Sequence, residues 1–432
     1  MQEESKLEKY KLDLSDPVTD IGIVIRLGIS AIPIPLVKNV LSTLLSIIWP
    51  KTEEDIWSKI KGKVKDLIDE EIDNSKWEDR QSILEECKEK IEKFNDSLRE
   101  NDIAEAINKY QFLKEYFVGK EVYFKLDGHK VKYSFSPLYC IMVSLIFAFR
   151  KSVIEHKDEL GLTEKEVENE EITIRELLTN AINYINEAKE EHENIYNGAW
   201  GLSWDLNKLL KFNQYYQQSV FVFIQIWEQS VDLSPSDNPP IINLAFPGIA
   251  AGSTSCIVDE NNNYIPPEAL KDVMTPKSEG EKINAVTLYK HSYKTELIGV
   301  DVSYADGRYV RLGDNSSGNY QELRFDANEF NNMTSMLVRA EEPTGIGGFI
   351  GSITVGSNTG ESISIIPREI INQNNSPNAI LKLNEPYRIA RILGSKFEWE
   401  ISGNQMISIC CGVIYDNELA TARAKKLLEN TL

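Results

Sequence analysis

The chain has 432 residues, of which 42% are hydrophobic and 26% are charged, and its formal net charge is −20. This length predicts two or three domains, and the apolar fraction excludes an intrinsically disordered chain. A chain this acidic, with no basic cluster, is a poor candidate for binding nucleic acid. Five scattered cysteines do not suggest a disulfide framework. The first residues carry no apolar signal sequence, and no apolar run reaches the ~20 residues of a standard transmembrane helix.

Residues 1–233 have the pattern of an α-helical bundle. Apolar residues recur there at spacings of three and four, which is typical of amphipathic helices. Thr163 and Glu166 form a capping-box pattern that predicts the start of one of these helices. We expect seven to nine helices in this region.

The most apolar run of the chain is Leu138–Phe149, which Pro137 and Arg150 bound. Twelve residues are short for a membrane span and typical of a buried core helix. A helix that is apolar on every side must be surrounded by other helices. The sequence therefore predicts a bundle with residues 137–150 at its centre.

The rest of the chain differs in character. Residues 234–282 are rich in proline and asparagine and predict an irregular connector. Residues 283–432 predict an all-β domain, either a sandwich or a prism, because short alternating runs are separated by turn residues. Asp306-Gly307 predicts a tight hairpin with both turn residues at positive φ. A short helix is expected over residues 417–428.

Catalytic and metal-binding motifs are not found. None of the four histidines has the spacing of a zinc site. A phosphate-binding glycine loop is not supported at residues 345–351, because Ile350 occupies the place of the third glycine and a strand follows. We therefore expect no enzyme activity, no cofactor and no metal.

A helical bundle with an apolar central helix, joined to a β domain, is an arrangement seen in pore-forming toxins. In water, amphipathic neighbours cover the apolar helix, and at a membrane lipid replaces them. Helices tolerate this exchange because their backbone hydrogen bonds are internal. The alternative is a non-lytic protein that binds a receptor or carbohydrate. Candidates for stacking on a receptor or glycan are Tyr304, Tyr309 and Tyr320.

Five segments carry a more specific resemblance. They are similar to PirB, the larger subunit of the PirA/PirB binary insecticidal toxins. The segments are Gly28–Pro50 (GISAIPIPLVKNVLSTLLSIIWP), Ile56-Trp57, Asp66–Ile72 (DLIDEEI), Asp158–Thr163 (DELGLT) and Gly299–Gly313 (GVDVSYADGRYVRLG).

The resemblance implies a function as well as a fold. It implies an N-terminal bundle similar to the pore-forming domain of three-domain Cry toxins and a β domain for receptor recognition. It also implies a smaller PirA-like partner and toxicity to arthropod gut epithelium without catalysis. We expect release without a secretory signal peptide and action at the target cell membrane, with a surface receptor or glycan as a further partner.

In Cry-like bundles the central helix and its neighbour insert as a hairpin. From apolarity and amphipathicity we assign this pair to residues 101–118 and 137–150, joined by the polar turn at 125–130. The candidates for membrane insertion are Ile103, Ile107, Tyr110, Leu113, Phe117, Leu138, Ile141, Val143, Leu145, Ile146, Phe147 and Phe149.

Overall fold

The computed structural model describes most of the chain. Its described residues are 17–29, 40–50, 56–68, 74–125, 132–199, 206–231, 239–252, 267–277, 281–291, 297–313, 320–327, 332–341, 349–357, 360–365, 379–383, 385–399 and 403–429. These residues form two compact units. The helical unit comprises residues 17–197, 215–242 and 420–429, and the β unit comprises 206–214 and 243–419.

The helical unit is built from amphipathic helices around one apolar helix, as the sequence predicts. Its α-helices are α1 (Pro17–Ile29), α2 (Val40–Ile48), α3 (Ile56–Ile68), α4 (Asn74–Arg99), α5 (Ile103–Tyr116), α6 (Lys132–Glu155) and α7 (Glu164–Ala199). Helix α8 (Leu206–Tyr216), of which residues 206–214 are counted with the β unit, continues through a π-helical turn (Gln217–Phe221) into α9 (Val222–Glu228) of the helical unit. A 3₁₀ helix (Lys120–Phe124) follows α5.

Local hydrogen bonds explain where two of these helices begin. The Thr163 backbone N–H and hydroxyl donate to Glu166 Oε2, both at 2.8 Å, and the Glu166 N–H donates to Thr163 Oγ1 at 3.3 Å. This is the predicted capping box, and it stabilises the first turn of α7. At the start of α5, the Asp102 carboxylate accepts the N–H of Glu105 at 3.1 Å.

The C-terminal helix α11 (Asn417–Glu429) is present as predicted, but most of it belongs to the helical unit. The domain prediction of 283–432 as one β domain is wrong at this end. Arg423 makes a bidentate ion pair with Asp20 of α1, at 2.6 and 2.9 Å. Thr421 accepts a hydrogen bond from the guanidinium of Arg26 at 3.1 Å. These long-range polar pairs hold α11 against α1, and helical periodicity alone cannot reveal them.

The β unit contains three antiparallel sheets. Its strands are β1 (Ala245–Gly252), β2 (Ile283–His291), β3 (Leu297–Tyr304), β4 (Tyr309–Gly313), β5 (Tyr320–Asp326), β6 (Ser335–Glu341), β7 (Phe349–Gly356), β8 (Ser362–Ile365), β9 (Ala379–Lys382), β10 (Tyr387–Trp399) and β11 (Gly403–Tyr415). The sheet orders are β1-β11-β10, β4-β3-β2-β5 and β8-β7-β6-β9. Each sheet packs against the other two, which is the arrangement of a prism.

The connector prediction for residues 234–282 is wrong in part. Strand β1 lies there and pairs with β11, and helix α10 (Pro267–Met274) packs against β1, β10 and β11. The prolines mislead because Pro247 sits at a register shift in β1, where a proline is tolerated. The partner strand lies more than a hundred residues away in sequence, so no local pattern indicates this pairing.

The predicted hairpin between β3 and β4 exists, with a different turn. The Gly307 N–H donates to the Tyr304 carbonyl at 3.1 Å, and the Tyr304 N–H donates to the Arg308 carbonyl at 2.9 Å. Gly307 has a φ of +86°, but Asp306 does not adopt a positive φ. The Asp306 carboxylate instead accepts from the Arg308 N–H at 3.0 Å and from its guanidinium at 2.7 Å. These bonds favour a longer loop in which only the glycine is left-handed.

Gly307 and Gly313 provide a matched test of how the hairpin is fixed in the sheet. Both have φ near +85°. A Cβ on Gly313 would lie 2.4 Å from the Ile298 carbonyl oxygen and 2.7 Å from Met406 Sδ, whereas a Cβ on Gly307 meets nothing within 4 Å. We expect Gly307→Ala to cost about 1 kcal/mol from backbone strain alone. Gly313→Ala should cost about 3 kcal/mol because overpacking adds to the strain. Urea unfolding of the two variants measures the difference, and equal costs would contradict the described packing.

Candidate functional site

The apolar centre of the helical unit is α6. The sequence predicts this helix over residues 137–150, and in the structure it is longer, with 24 residues from Lys132 to Glu155. Every side chain from Phe135 to Arg150 is buried. Among the described residues, Phe135–Glu155 is the one helical segment long and apolar enough to cross a membrane, with 21 residues and a mean hydropathy of 1.6. Length and composition alone do not distinguish a membrane span from the core helix of a soluble protein.

Several helices surround α6. It contacts α1, α2, α3, α4, the 3₁₀ helix and the π-helical turn. Aromatic rings make many of these contacts: Phe149 lies 5.2 Å from Phe94 of α4 and 5.3 Å from Phe117, between ring centres. On another side of α6, Tyr139 lies 4.6 Å from Tyr184 of α7. The centre of the bundle is thus closely packed around α6 on more than one side.

The residues proposed for insertion fall into two groups. All the α6 candidates are buried, and so are Tyr110, Leu113 and Phe117. Ile103 and Ile107 are partly exposed. Phe117 caps the C-terminus of α5 and touches Phe149, so the two proposed segments meet at this end. The predicted turn at 125–130 lies outside the described residues except for Lys125.

A buried polar cluster, which the sequence analysis missed, joins α5, α6 and α7. Its members are Tyr110, Lys114, Arg150 and Glu170, and we call it the Glu170 cluster. The Arg150 guanidinium donates to Glu170 Oε2. The Tyr110 hydroxyl donates to Glu170 Oε1 at 2.8 Å, and Lys114 Nζ lies 3.7 Å from the same oxygen. Arg150 and Glu170 are almost completely buried, whereas Lys114 is partly exposed.

The Glu170 cluster marks the point where the apolar face of α6 ends. A buried carboxylate and a buried guanidinium are tolerated only as a pair with further hydrogen bonds. The pairing therefore fixes α6 relative to α5 and α7. Removal of either charge leaves the other one buried and uncompensated.

We expect Glu170→Gln to destabilise the protein by about 3 kcal/mol, because Arg150 then remains buried without a counter-charge. The matched control is Glu171→Gln on the next residue of α7. Glu171 pairs with Arg175 at 3.6 Å on the partly exposed surface, and its loss should cost less than about 0.5 kcal/mol. Urea denaturation monitored by far-UV circular dichroism measures the free energy of unfolding of both variants. Similar small losses would show that the Glu170 cluster does not hold these helices together.

The receptor candidates on the β unit have different environments. Tyr304 is only 3% exposed, so its prediction as a surface contact is wrong. It lies within an alternating strand whose apolar face is buried, and its hydroxyl accepts from the Ile392 N–H at 3.5 Å. Tyr309 is 56% exposed and remains a candidate. Tyr320 begins β5 opposite His291, and its side chain lies outside the described part.

Tyr309 belongs to a hydrogen-bonded network on the outer side of the β4-β3-β2-β5 sheet. Asp301 is at its centre. The Arg311 guanidinium donates to both Asp301 oxygens at 3.0 Å, and the Tyr289 hydroxyl donates to Oδ2 at 2.7 Å. The Tyr309 hydroxyl also donates to Oδ2 and accepts from Arg311 at 2.9 Å. The network holds the Tyr309 ring and the Arg311 guanidinium, both exposed, side by side on the edge strand β4.

Burial alone would raise the pKa of Asp301. Hydrogen bonds from Arg311, Tyr309 and Tyr289, together with the charge of Arg311, outweigh burial and hold this pKa below its ordinary value. A carboxyl whose pKa is lower in the folded state stabilises the fold above its unfolded pKa of about 3.9. That stabilisation is lost as the pH falls through the folded pKa.

Asp301→Asn should therefore be less stable than the unmodified chain at pH 7, and the difference should shrink below about pH 4. The control is Glu322→Gln, at an exposed position of β5 in the same sheet. The free energy of unfolding of this control should stay close to that of the unmodified chain between pH 3 and pH 7. Urea midpoints at several pH values between 3 and 7 test this, and a difference that grows on acidification would contradict the network.

No catalytic arrangement emerges among the described residues. No group of three or more His, Cys, Asp or Glu side chains in this part of the chain is placed to hold a metal ion. Burial raises the pKa of the Cys87 and Cys411 thiols to about 12, so these thiols are protonated at neutral pH. They act as small packing residues.

Comparisons with known proteins agree with this architecture. Residues 24–230 match the family model described as delta endotoxin, N-terminal domain. No curated protein matches the chain. Among solved structures, the insecticidal delta-endotoxin Cry8Ea1 from Bacillus thuringiensis has a TM-score of 0.63 at 12% identity, over 93% of this chain and 73% of that one. The fold is thus that of the delta-endotoxins, and the matched residues contain most of the helical unit.

A second solved structure resembles the chain over its whole length. The crystal structure of PirB has a TM-score of 0.71 at 20% identity and covers 94% of this chain and 96% of that chain. The resemblance to PirB, first indicated by five short segments spread over both parts of the chain, is confirmed at the level of the fold.

Proposed function

We propose that the chain is the pore-forming subunit of an insecticidal toxin. The observation that carries the proposal is α6, a membrane-length apolar helix enclosed by amphipathic helices in a delta-endotoxin fold. At a membrane the bundle opens, and α6 and α5 enter the bilayer as a hairpin. The candidates for insertion are the residues of these two helices named above.

The dimensions of α6 fit this role. Twenty-one residues at 1.5 Å per residue span about 31 Å, close to the ~30 Å thickness of a bilayer core. Burying such a helix contributes tens of kcal/mol at ~25 cal/mol per Å². Lipid provides a similar apolar environment to that of the bundle. A small additional free-energy difference can therefore decide whether α6 stays in the bundle or enters the bilayer.

The dimensions of α5 are less favourable on their own. Its 14 residues span about 21 Å, so the segment must continue through the 3₁₀ helix to cross a bilayer. Its polar side chains then need water, because an isolated charge in lipid is costly. We infer that α5 lines the aqueous side of the pore while α6 faces lipid.

The β unit supplies recognition in this proposal. Tyr309 and Arg311 are its best-defined contact candidates for a receptor or glycan, because both are exposed and held in place by Asp301. A smaller PirA-like subunit is the proposed partner, and arthropod gut epithelium is the proposed target. Action at the target cell membrane completes the proposal.

The alternative is a non-lytic receptor- or carbohydrate-binding protein. The exposed Tyr309 ring next to Arg311 favours it, since aromatic rings stack on sugars. In this case the full chain binds a glycan array and Tyr309→Ala loses the binding, while vesicles stay intact under every condition.

The first experiment is dye release from phosphatidylcholine vesicles, by the folded chain alone and with the smaller partner, from pH 5 to pH 10. Release supports pore formation and identifies the condition that triggers it. Folded protein that releases no dye under any condition, including with its partner, contradicts the proposal and favours the binding protein.

A disulfide between α4 and α6 tests whether α6 leaves the bundle. Cys87 Sγ of α4 lies 4.0 Å from Met142 Sδ of α6, so Met142→Cys places two thiols near each other. Helix α4 is outside the proposed hairpin. We therefore expect the disulfide, formed during refolding, to abolish dye release, and a reductant to restore it.

The control for this experiment carries Met142→Cys together with Cys87→Ser. It has the same altered packing of α6 but cannot form the disulfide, so it should release dye with or without reductant. Full release by the cross-linked protein, with the bond verified by mass spectrometry, would show that α6 does not separate from α4.

A further inference from the structure

Exposed apolar side chains are concentrated in one short segment of the helical unit. Seven large hydrophobic residues are exposed in the described part of the chain, and four of them lie between positions 112 and 123. These four are Phe112 (54% exposed), Val118 (76%), Val122 (55%) and Tyr123 (61%). The other three are scattered: Ile172, Ile241 and Tyr309. Single exposed apolar residues are ordinary, but a group of them indicates an interaction surface.

Loose packing does not explain this exposure. Leu113 and Phe117 belong to the same segment and are fully buried, as is Phe124, which follows it directly. Phe117 packs on Phe149 at 5.3 Å between ring centres. The segment thus has one apolar side that builds the core and a second apolar side that faces water.

Lysines lie among the exposed rings. Lys90 Nζ is 4.8 Å from the centre of the Phe112 ring and 4.9 Å from that of Tyr116. Lys120 Nζ is 4.3 Å from the centre of the Tyr116 ring and 5.5 Å from that of Tyr123. Phe112 and Tyr116 are themselves stacked, with 6.0 Å between ring centres. The aromatic patch, as we name it, consists of Lys90, Phe112, Tyr116, Val118, Lys120, Val122 and Tyr123.

We propose that the aromatic patch is the surface by which the chain first docks on a phospholipid bilayer, before α6 leaves the bundle. Aromatic rings and lysines are the side chains that favour the boundary between headgroups and acyl chains. The rings and valines enter the boundary, and the lysine ammonium groups meet the lipid phosphates. This proposal deepens the proposed pore function and rests on it only for the steps after docking.

Apolar contact and position, rather than charge, favour a bilayer as the occupant. The chain has a net charge of −20, so its surface as a whole is repelled by anionic lipid. Glu86 lies 3.2 Å from Lys90 and partly neutralises it, so docking depends more on apolar contact than on charge. Four members of the patch, Val118, Lys120, Val122 and Tyr123, also lie between α5 and α6 in sequence. They precede residues 126–131, which join the two segments proposed to insert. Docking there brings this connection to the membrane first.

The test compares vesicle binding by two double variants of the full chain. Val118→Ser with Tyr123→Ser removes two exposed side chains of the aromatic patch. Ile172→Ser with Ile241→Ser removes two exposed apolar side chains elsewhere and serves as the control. Flotation with phosphatidylcholine vesicles should show about tenfold weaker partitioning of the patch variant and unchanged partitioning of the control. High salt should weaken binding of the unmodified chain only slightly, because apolar contacts dominate.

Thermal unfolding first verifies that both variants are folded, which is expected because all four positions are exposed. Equal vesicle binding by the patch variant and the unmodified chain would overturn the proposal. The proposal would also be overturned if the unmodified chain did not bind vesicles and the patch variant no longer bound the smaller protein partner. Vesicle binding that only the patch variant loses, without dye release by any of the proteins, would reject pore formation and leave the docking surface supported.

Discussion

A helix that is apolar on all sides imposes one requirement on the rest of its domain, namely complete coverage. Helix α6 meets this requirement in water only because helices and short helical turns from several parts of the chain surround it. Neighbours on the outside of the unit, such as α4, are amphipathic, with the apolar side directed inward. Helix α1 is itself almost completely buried. The architecture of the helical unit therefore follows from the need to shield α6 from water. A bilayer can in principle provide the same coverage without any neighbour.

The ends of α6 limit how freely this exchange occurs. Along most of its length α6 offers mainly apolar surface, so contact area dominates its packing against its neighbours. At Arg150 this changes, because the guanidinium is buried against Glu170. Buried ion pairs contribute little net stability compared with apolar packing, yet they are costly to break one partner at a time. The Glu170 cluster consequently restrains the register of α6 more than it stabilises the fold.

Local patterns in the sequence were sufficient for some features and insufficient for others. The apolar run at 138–149 and the capping box at Thr163 predicted α6 and the start of α7, because both signals act within a few residues. The position of α11 depends on Arg423 and Asp20, which are some four hundred residues apart. The Glu170 cluster was missed for a related reason. Glu170 is one of many acidic residues in α7, and nothing in its local sequence distinguishes the buried one.

The candidate receptor contacts on the β unit also show that local sequence patterns do not predict which side chains are exposed. Tyr304 and Tyr309 lie near each other in sequence and look equivalent there, but the alternation along β3 directs Tyr304 inward while Tyr309 begins the edge strand β4. Their roles are decided by which side of the sheet is covered, which depends on the packing of three sheets. The alternation of residues in the sequence predicts a strand. It does not predict which side of the strand is buried when both sides carry aromatic residues.

The segment from Phe112 to Tyr123 separates the requirements of folding from those of function. Its inward side, with Leu113 and Phe117, is needed to cover α6 in water. Its outward side, with Phe112 and Val118, adds nothing to that coverage and costs free energy in contact with water. The fold itself does not require a second apolar side that stays exposed, and this favours a contact outside the molecule as its explanation. The distribution of apolar surface thus supports the proposal that the chain docks on a bilayer at this segment, next to the helix whose coverage the bilayer would replace.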